Sequence, residues 1–301
     1  MEKRRRVINA DLIKTLSLAG CKILENEPMS KRCSFKIGGG ADFFVEIPTE
    51  KALLVFLQNI GEENFFILGG ATNILFSDNG YRGAIVKLTE EFAQFSIKGN
   101  AVTCGAGASL PLVVKAAAEN NLSGFESLAG IPGTVGGAVL GNAGSAAKWI
   151  SNSVESVEVF RNAKKELLKR EEIVFEYRSS NLKNVVITKI NFTLKKAAGN
   201  DILKEISESI NRRAQSQPLN TPNAGCIFKN PKDASAGKLI DESGLKGKSY
   251  GGAKISEIHA NFIVNTGAAK ADDVLYLAEL AKKTVKEKFN INLEYEIKII
   301  K

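Results

Sequence analysis

Residues 124–145 read GFESLAGIPGTVGGAVLGNAGS, with glycine at 124, 130, 133, 136, 137, 141 and 144. The centre of the stretch, Ile131-Pro132-Gly133-Thr134-Val135-Gly136-Gly137-Ala138, sets conformationally free glycines beside a proline of fixed φ. With so few side chains, backbone N–H groups can come close to a ligand, as in a cradle for phosphate oxygens. The same residues also suit a tight turn with close backbone packing, and this stretch alone does not choose between the two. It is not a Walker loop, because no Gly-Lys-Ser/Thr follows the glycines. Two earlier clusters, Gly38-Gly39-Gly40 and Gly69-Gly70-Ala71-Thr72-Asn73, shift the balance toward a ligand. Three separated glycine-rich turns in one half of the chain suggest a long diphosphate clasped from several sides.

The 301 residues, 44% of them apolar, are enough for two or three domains with substantial cores. A net charge of +8 suits either nucleic acid or a negatively charged small substrate. The basic residues are scattered, apart from Lys3-Arg4-Arg5-Arg6, which reads as a solvated terminus rather than a binding arm. Aromatics are not interleaved with them as on a base-stacking surface, so phosphorylated metabolites are favoured over nucleic acid. Cys21, Cys33, Cys104 and Cys226 have neither metal-ligand spacing nor the density of a disulfide scaffold. With a single histidine, His259, no zinc site is expected. No apolar run reaches the roughly 18 residues needed to span a bilayer. No apolar segment follows Lys3–Arg6, so no signal peptide is expected and the chain reads as cytoplasmic.

Local patterns give an α+β chain in three regions. Leu12, Ile13, Leu16 and Leu18 form the apolar face of a short helix within residues 1–27, a segment ended by Pro28. Residues 41–47 read as a strand, Thr49 caps a helix running to about Ile60, and 65–68 and 84–88 are buried strands. Strands follow near 94–97 and 101–104, then a helix from about Leu110 with Pro111 in its first turn. Strands near 154–160 and 185–194 flank Glu176-Tyr177-Arg178-Ser179-Ser180-Asn181. A helix capped by Asn200 or Asp201 runs to about Arg213, with Ile202, Leu203, Ile206 and Ile210 on one face. A strand at 260–264 and a helix over 272–289 precede an alternating apolar–charged ending, 291–300, that reads as a half-buried strand. Its period puts Glu294, Glu296 and Lys298 on one face, which by itself is simply a solvated face.

In this order the segments resemble the UDP-N-acetylenolpyruvoylglucosamine reductase family, over nearly the whole chain. The resemblance rests on 67–75, ILGGATNIL, on 130–138, GIPGTVGGA, with Asn142-Ala143-Gly144, and on Tyr177-Arg178. It continues through 224–231, AGCIFKNP, then Leu239-Ile240, 244–247, GLKG, 259–265, HANFIVN, and the closing 294–300, EYEIKII. It implies the FAD-binding fold of the vanillyl-alcohol-oxidase type, two α+β subdomains with a separate α+β substrate domain. Mapped onto this chain, that means an N-terminal helical segment at 1–27, FAD subdomains at 28–90 and 91–197, and a substrate domain at 198–301. FAD would be held without a covalent bond by Gly69, Gly70, Ala71, Thr72, Asn73, Ile131, Pro132, Gly133, Thr134, Gly136, Gly137 and Ala138. The short interval from Arg178 to Cys226 resembles the family's shorter class, which lacks a tyrosine-bearing loop over the substrate.

The activity so implied is NADPH-dependent reduction of an enolpyruvyl ether on a UDP-sugar, a step toward peptidoglycan, by a monomer expected to have no nucleic-acid, membrane or metal partners. Arg178 matches the family's cation for the developing enolate, and Glu296 its catalytic glutamate, with Glu294 as fallback. A surface strand arginine is the other reading of Arg178. Cys226 stands where the commoner pattern has serine; a thiol of pKa about 8.5 is mostly protonated at neutral pH and can donate a proton. A small buried hydrophobe is the alternative for a free cysteine. Tyr177, Arg212, Arg213, Lys229 and Asn230 are the expected substrate contacts, with Ser216 where the family often has lysine. The competing readings are an oxidase of the same fold acting on an alcohol or sugar, and a nucleotide-binding scaffold without chemistry.

Overall fold

The computed structural model describes residues 8–61, 64–145 and 148–301. The basic run Lys3–Arg6 lies outside the described residues. The described residues fall into two compact units, each assembled from separated stretches: those within 8–25, 43–70 and 82–211 form one, and 26–42, 71–81 and 212–301 the other.

The first unit begins with the helix Ala10–Leu18, capped by Asn9, whose side-chain oxygen accepts from the Leu12 N–H at 2.9 Å. The helix is shorter than the segment expected to run to Pro28. Cys21 N donates back to Leu16 O at 2.9 Å and Gly20 N to Ser17 O at 3.0 Å, a closure that stops the helix. Leu18 is therefore solvent-exposed, and Lys22–Pro28 is a strand that Pro28 ends. This strand borders a four-stranded sheet in the order Lys22–Pro28, Gly40–Ile47, Tyr81–Leu88, Phe65–Ile67. The helix Glu50–Asn59 is capped by Thr49, as its sequence requires. A second, antiparallel sheet runs Lys164–Lys169, Val154–Arg161, Val186–Thr193, Ala101–Gly105, Phe95–Lys98.

One continuous apolar core joins these sheets, including Val45, Phe56, Val86, Val102, Val113, Val139, Val157, Ile190 and Phe192. The helix Gly199–Ser216 begins before the expected cap residues, and only Ile202 of its expected apolar face is fully buried; Leu203 and Ile210 are exposed.

In the second unit an antiparallel sheet runs Asn223–Cys226, Phe262–Asn265, Ala253–Ile255, Ser249–Tyr250, and the helix Ala271–Phe289 packs beside it. Val274, Leu277, Ala278, Ala281 and Val285 form the buried stripe of that helix. The closing stretch keeps its alternation, with Leu293 and Ile297 buried and Glu294 and Lys298 exposed. Only Lys298–Ile300 is a regular strand, parallel to Ile74–Phe76. The residues before it bond irregularly to 227–229 through Lys229 N to Glu294 O and Glu296 N to Ile227 O. Among the described residues no helix is long and apolar enough to cross a membrane.

Candidate active site

In the first unit the glycine turns at 69–70 and 133–134 meet backbone to backbone. A Cβ on Gly70 would lie 2.4 Å from the Gly133 Cα, and one on Gly69 2.7 Å from the Thr134 hydroxyl oxygen. Contact this close admits no side chain. The helix Val135–Leu140 that follows is tied down by its own first amides: Val135 N donates to Ala108 O at 2.9 Å and Gly136 N to Ala106 O at 2.8 Å. Gly137 N donates to the Thr134 hydroxyl at 3.3 Å. By contrast, the N–H groups of Gly69, Gly70, Gly133 and Thr134 make no hydrogen bond with the described residues. Unbonded amides on two touching, side-chain-poor turns are what an anionic pyrophosphate requires. The residues fit FAD, with the free donors on Gly69, Gly70, Gly133 and Thr134, while Gly136 and Gly137 serve the packing of the turn. Ile131, Pro132 and Ala138 flank the same turns.

Arg178 sits at the tip of the hairpin Phe175–Ser180, with Phe175 paired to Ser180 and Glu176 to Ser179. Its φ is +57°, a conformation rare for a long side chain. Nη1 donates to the Gly144 carbonyl at 3.0 Å, and the guanidinium lies 5.6 Å from the ring centres of both Trp149 and Tyr177. Those rings meet edge to face at 5.9 Å. Tyr177 is thus a partner of Arg178, with part of its ring open to solvent.

In the second unit Cys226 ends its strand next to Gly225, half-buried. Residues 227–229 are held on one side by Asn261 and on the other by the C-terminal stretch. Ile227 N donates to Asn261 O, and Ile227 O accepts from Glu296 N, both at 2.8 Å. Glu296 is therefore brought beside the residue that follows Cys226. Asn73 adds a further tie, its side-chain amide donating to Glu296 O at 3.1 Å while its carbonyl accepts from Lys298 N at 3.0 Å. Ala71 O accepts from Ser34 N at 3.1 Å, anchoring the 71–73 loop that carries Thr72. Glu294, exposed, pairs with Lys229 at 3.7 Å. Asn230 Oδ1 accepts from Ala236 N at 3.0 Å, fixing the turn before the helix Ala236–Glu242. Arg212 is exposed and Arg213 half-buried on the last turns of the helix Gly199–Ser216, where Ser216 caps back onto Arg212 O at 2.6 Å.

Burial disfavours the thiolate at two of the other cysteines, pushing Cys104 up to about 12 and Cys21 to about 11. Phe228 stacks on Tyr295 at 5.3 Å, and the Tyr295 hydroxyl donates to Glu279 at 2.8 Å; burial first, then this carboxylate, raises the Tyr295 pKa. Asn142, Trp149, Asn261 and Tyr295 carry no chemistry that patterns in the sequence single out. The signals were thin: an asparagine after the glycine run, the chain's one tryptophan, and a polar residue inside an apolar strand motif.

Bare amides on paired glycine turns inside an α+β unit suit a diphosphate-bearing ligand, and the family models make the class a flavin-binding protein. Residues 41–169 match the FAD binding domain model, and the fold is the FAD-binding one of the vanillyl-alcohol-oxidase type. Residues 217–300 match the C-terminal domain of UDP-N-acetylenolpyruvoylglucosamine reductase. The reductase of Caldanaerobacter subterraneus subsp. tengcongensis is 42% identical over 97% of this chain and 98% of its own. That of Caldicellulosiruptor bescii is 43% identical over 95% and 93%. The crystal structure of the Thermus caldophilus enzyme superposes with a TM-score of 0.84 at 36% identity, covering 93% of this chain and all of that one. The chain belongs to the UDP-N-acetylenolpyruvoylglucosamine reductase family.

Proposed function

We propose that the protein reduces the enolpyruvyl group of UDP-N-acetylenolpyruvoylglucosamine to the lactyl ether, giving UDP-N-acetylmuramate, with NADPH as reductant. The observation that carries this reading is the combination of family membership with unbonded amides on the 69–70 and 133–134 turns. Bound FAD supplies a hydride carrier between NADPH and substrate. The proposed cofactor contacts are Gly69, Gly70, Ala71, Thr72, Asn73, Ile131, Pro132, Gly133, Thr134 and Ala138, with Gly136 and Gly137 shaping the turn that presents them. Residues 28–90 and 91–197 are proposed as the FAD-binding part and 198–301 as the substrate-binding part.

When hydride reaches the terminal carbon of the enolpyruvyl group, negative charge moves onto its carboxylate. Arg178 meets that charge with a planar, permanently charged fork. The Cys226 thiol gives its proton to the adjacent carbon, closing the stereocentre, and the resulting thiolate regains a proton from solvent. Glu296 orients this region of the substrate. Tyr177, Arg212, Arg213, Lys229 and Asn230 bind the rest, Lys229 and the two arginines standing in for the lysine that Ser216 replaces. The protein is read as a cytoplasmic monomer. The test is anaerobic: NADPH should bleach the bound flavin, and the enolpyruvyl sugar nucleotide should restore its colour much faster than oxygen does. Faster return with oxygen would favour an oxidase, and no bleaching would leave a scaffold.

A further inference from the structure

We propose that Asn142 and Trp149 are positioning residues that hold the Arg178 guanidinium in place before substrate arrives. This rests on the reading of Arg178 as the cation that meets the enolate. Arg178 occupies a left-handed conformation at the tip of a two-residue hairpin, where glycine or asparagine is the usual occupant. Such a residue stays put only if its surroundings fix it. Both legs of the hairpin are fixed to the segment that leaves the helix Val135–Leu140. Asn142 Nδ2 donates to the Glu176 carbonyl at 3.0 Å, and the Ser180 hydroxyl donates to the Leu140 carbonyl at 2.8 Å.

The guanidinium is then fixed from the same segment. Its Nη1 donates to Gly144 O, and Trp149 provides an aromatic face. Gly144 makes this possible: at φ +149° its missing Cβ leaves room for the Lys148 carbonyl, which a Cβ would meet at 2.2 Å. Residues Gly144–Ser145 and Lys148–Trp149 can therefore pair as a narrow hairpin that sets Trp149 against Tyr177. A cation held in advance where charge will develop needs no rearrangement during the reaction.

Asn142 carries the clearest sign of this role. It is only 4% exposed, yet its Oδ1 has no hydrogen-bond partner among the described residues. A buried amide kept for stability alone would use both ends. Here only the donor is used, on the residue two before Arg178.

The experiment follows the two half-reactions of the holoenzyme separately by stopped flow, in Asn142→Ser, Trp149→Leu, Trp149→Phe and Arg178→Ala. Asn142→Ser and Trp149→Leu should slow flavin reoxidation by the enolpyruvyl nucleotide tenfold or more, leaving FAD content and reduction by NADPH within twofold. Trp149→Phe, which keeps an aromatic face, should recover most of the rate lost in Trp149→Leu. Trp149 is the only tryptophan, so its emission reports on the guanidinium. Asn142→Ser should shift that emission in the direction of Arg178→Ala. If both half-reactions fall together, or neither falls while Arg178→Ala is impaired, the positioning role is overturned. If Arg178→Ala itself reoxidises normally with substrate, the reading of Arg178 is overturned instead, and this proposal with it. Should Trp149→Leu fail to fold, Asn142→Ser and the emission shift decide.

Discussion

Asn261 donates its side-chain amide to the Phe228 carbonyl at 2.8 Å and accepts from the Phe228 N–H at 3.0 Å. One buried side chain thus occupies both backbone groups of a residue two positions beyond Cys226. It does the work of a neighbouring strand at a point where the sheet edge has become irregular. Replacing it with alanine leaves a buried donor and a buried acceptor unsatisfied. Asn261→Ala should lower stability by about 2–4 kcal/mol in denaturant unfolding. A loss below half a kcal/mol would mean that water replaces the amide and that the segment does not depend on it.

Cys226 is only half-buried, unlike Cys21, Cys33 and Cys104, as a proton donor must be. Cys226→Ser should keep measurable turnover, and Cys226→Ala should lose roughly 10²–10⁴-fold. Reduction by NADPH should be nearly unchanged in both, because no proton reaches substrate in that step. The check is reoxidation of prereduced variants in deuterated solvent. If Cys226→Ala turns over like the parent and delivers deuterium stereospecifically, the thiol only packs.

The touching glycine turns give a graded expectation. A Cβ on Gly70 would collide with backbone at Gly133, which cannot move alone; one on Gly69 meets only the Thr134 side chain. Gly70→Ala should weaken FAD binding at least tenfold, by flavin titration of the apoprotein, and Gly69→Ala less. Equal affinity in Gly70→Ala and the parent would separate this contact from cofactor binding.

With one histidine in the chain, a pH effect can be assigned. Burial lowers the His259 pKa below its ordinary 6.5, against an opposing upward pull from a backbone hydrogen bond, and Lys246 adds repulsion. The unfolded chain therefore binds a proton that the folded one refuses. His259 contributes stability above about pH 6.5 that is lost as pH falls below it. Carboxylate losses come lower. Glu158, against the upward push of burial, is held down by Lys165 and Lys189, and Glu279 by Tyr295 and Lys282. His259→Gln should flatten the decline in melting temperature between pH 6.5 and 5.5 and leave the decline below pH 5. An unchanged slope in the upper window would place its cause elsewhere.

Much of this protein was legible from its sequence. Thr49 capping its helix, the strand at 41–47, the helix over 272–289 and the alternation of residues 291–300 are local properties. Capping chemistry and side-chain period act within one or two turns of chain, so a single sequence suffices to read them. The same held for the ordered motifs that carry the family resemblance, whereas Gly39 of the 38–40 cluster donates its amide to Ser77 O at 3.0 Å.

Local pattern did not reach the strand at Lys22–Pro28, whose residues alternate weakly and become a strand because the helix closes at Leu18 and a sheet edge is there to receive them. Nor did it divide the donors of the glycine turns, since Ala106 and Ala108, some thirty residues earlier, decide that Val135 and Gly136 have no amide to spare. Gly144 and Trp149 meet Arg178 and Asn142 meets Glu176, and the ties on Cys226's neighbours come from 261 and 294–296. The sequence by itself determined the family and most of the local elements that carry the proposed site residues. Only the tertiary structure decided which amides stay unbonded and what holds each reactive side chain, because hydrogen bonds between distant segments are chosen by packing, which no local period encodes.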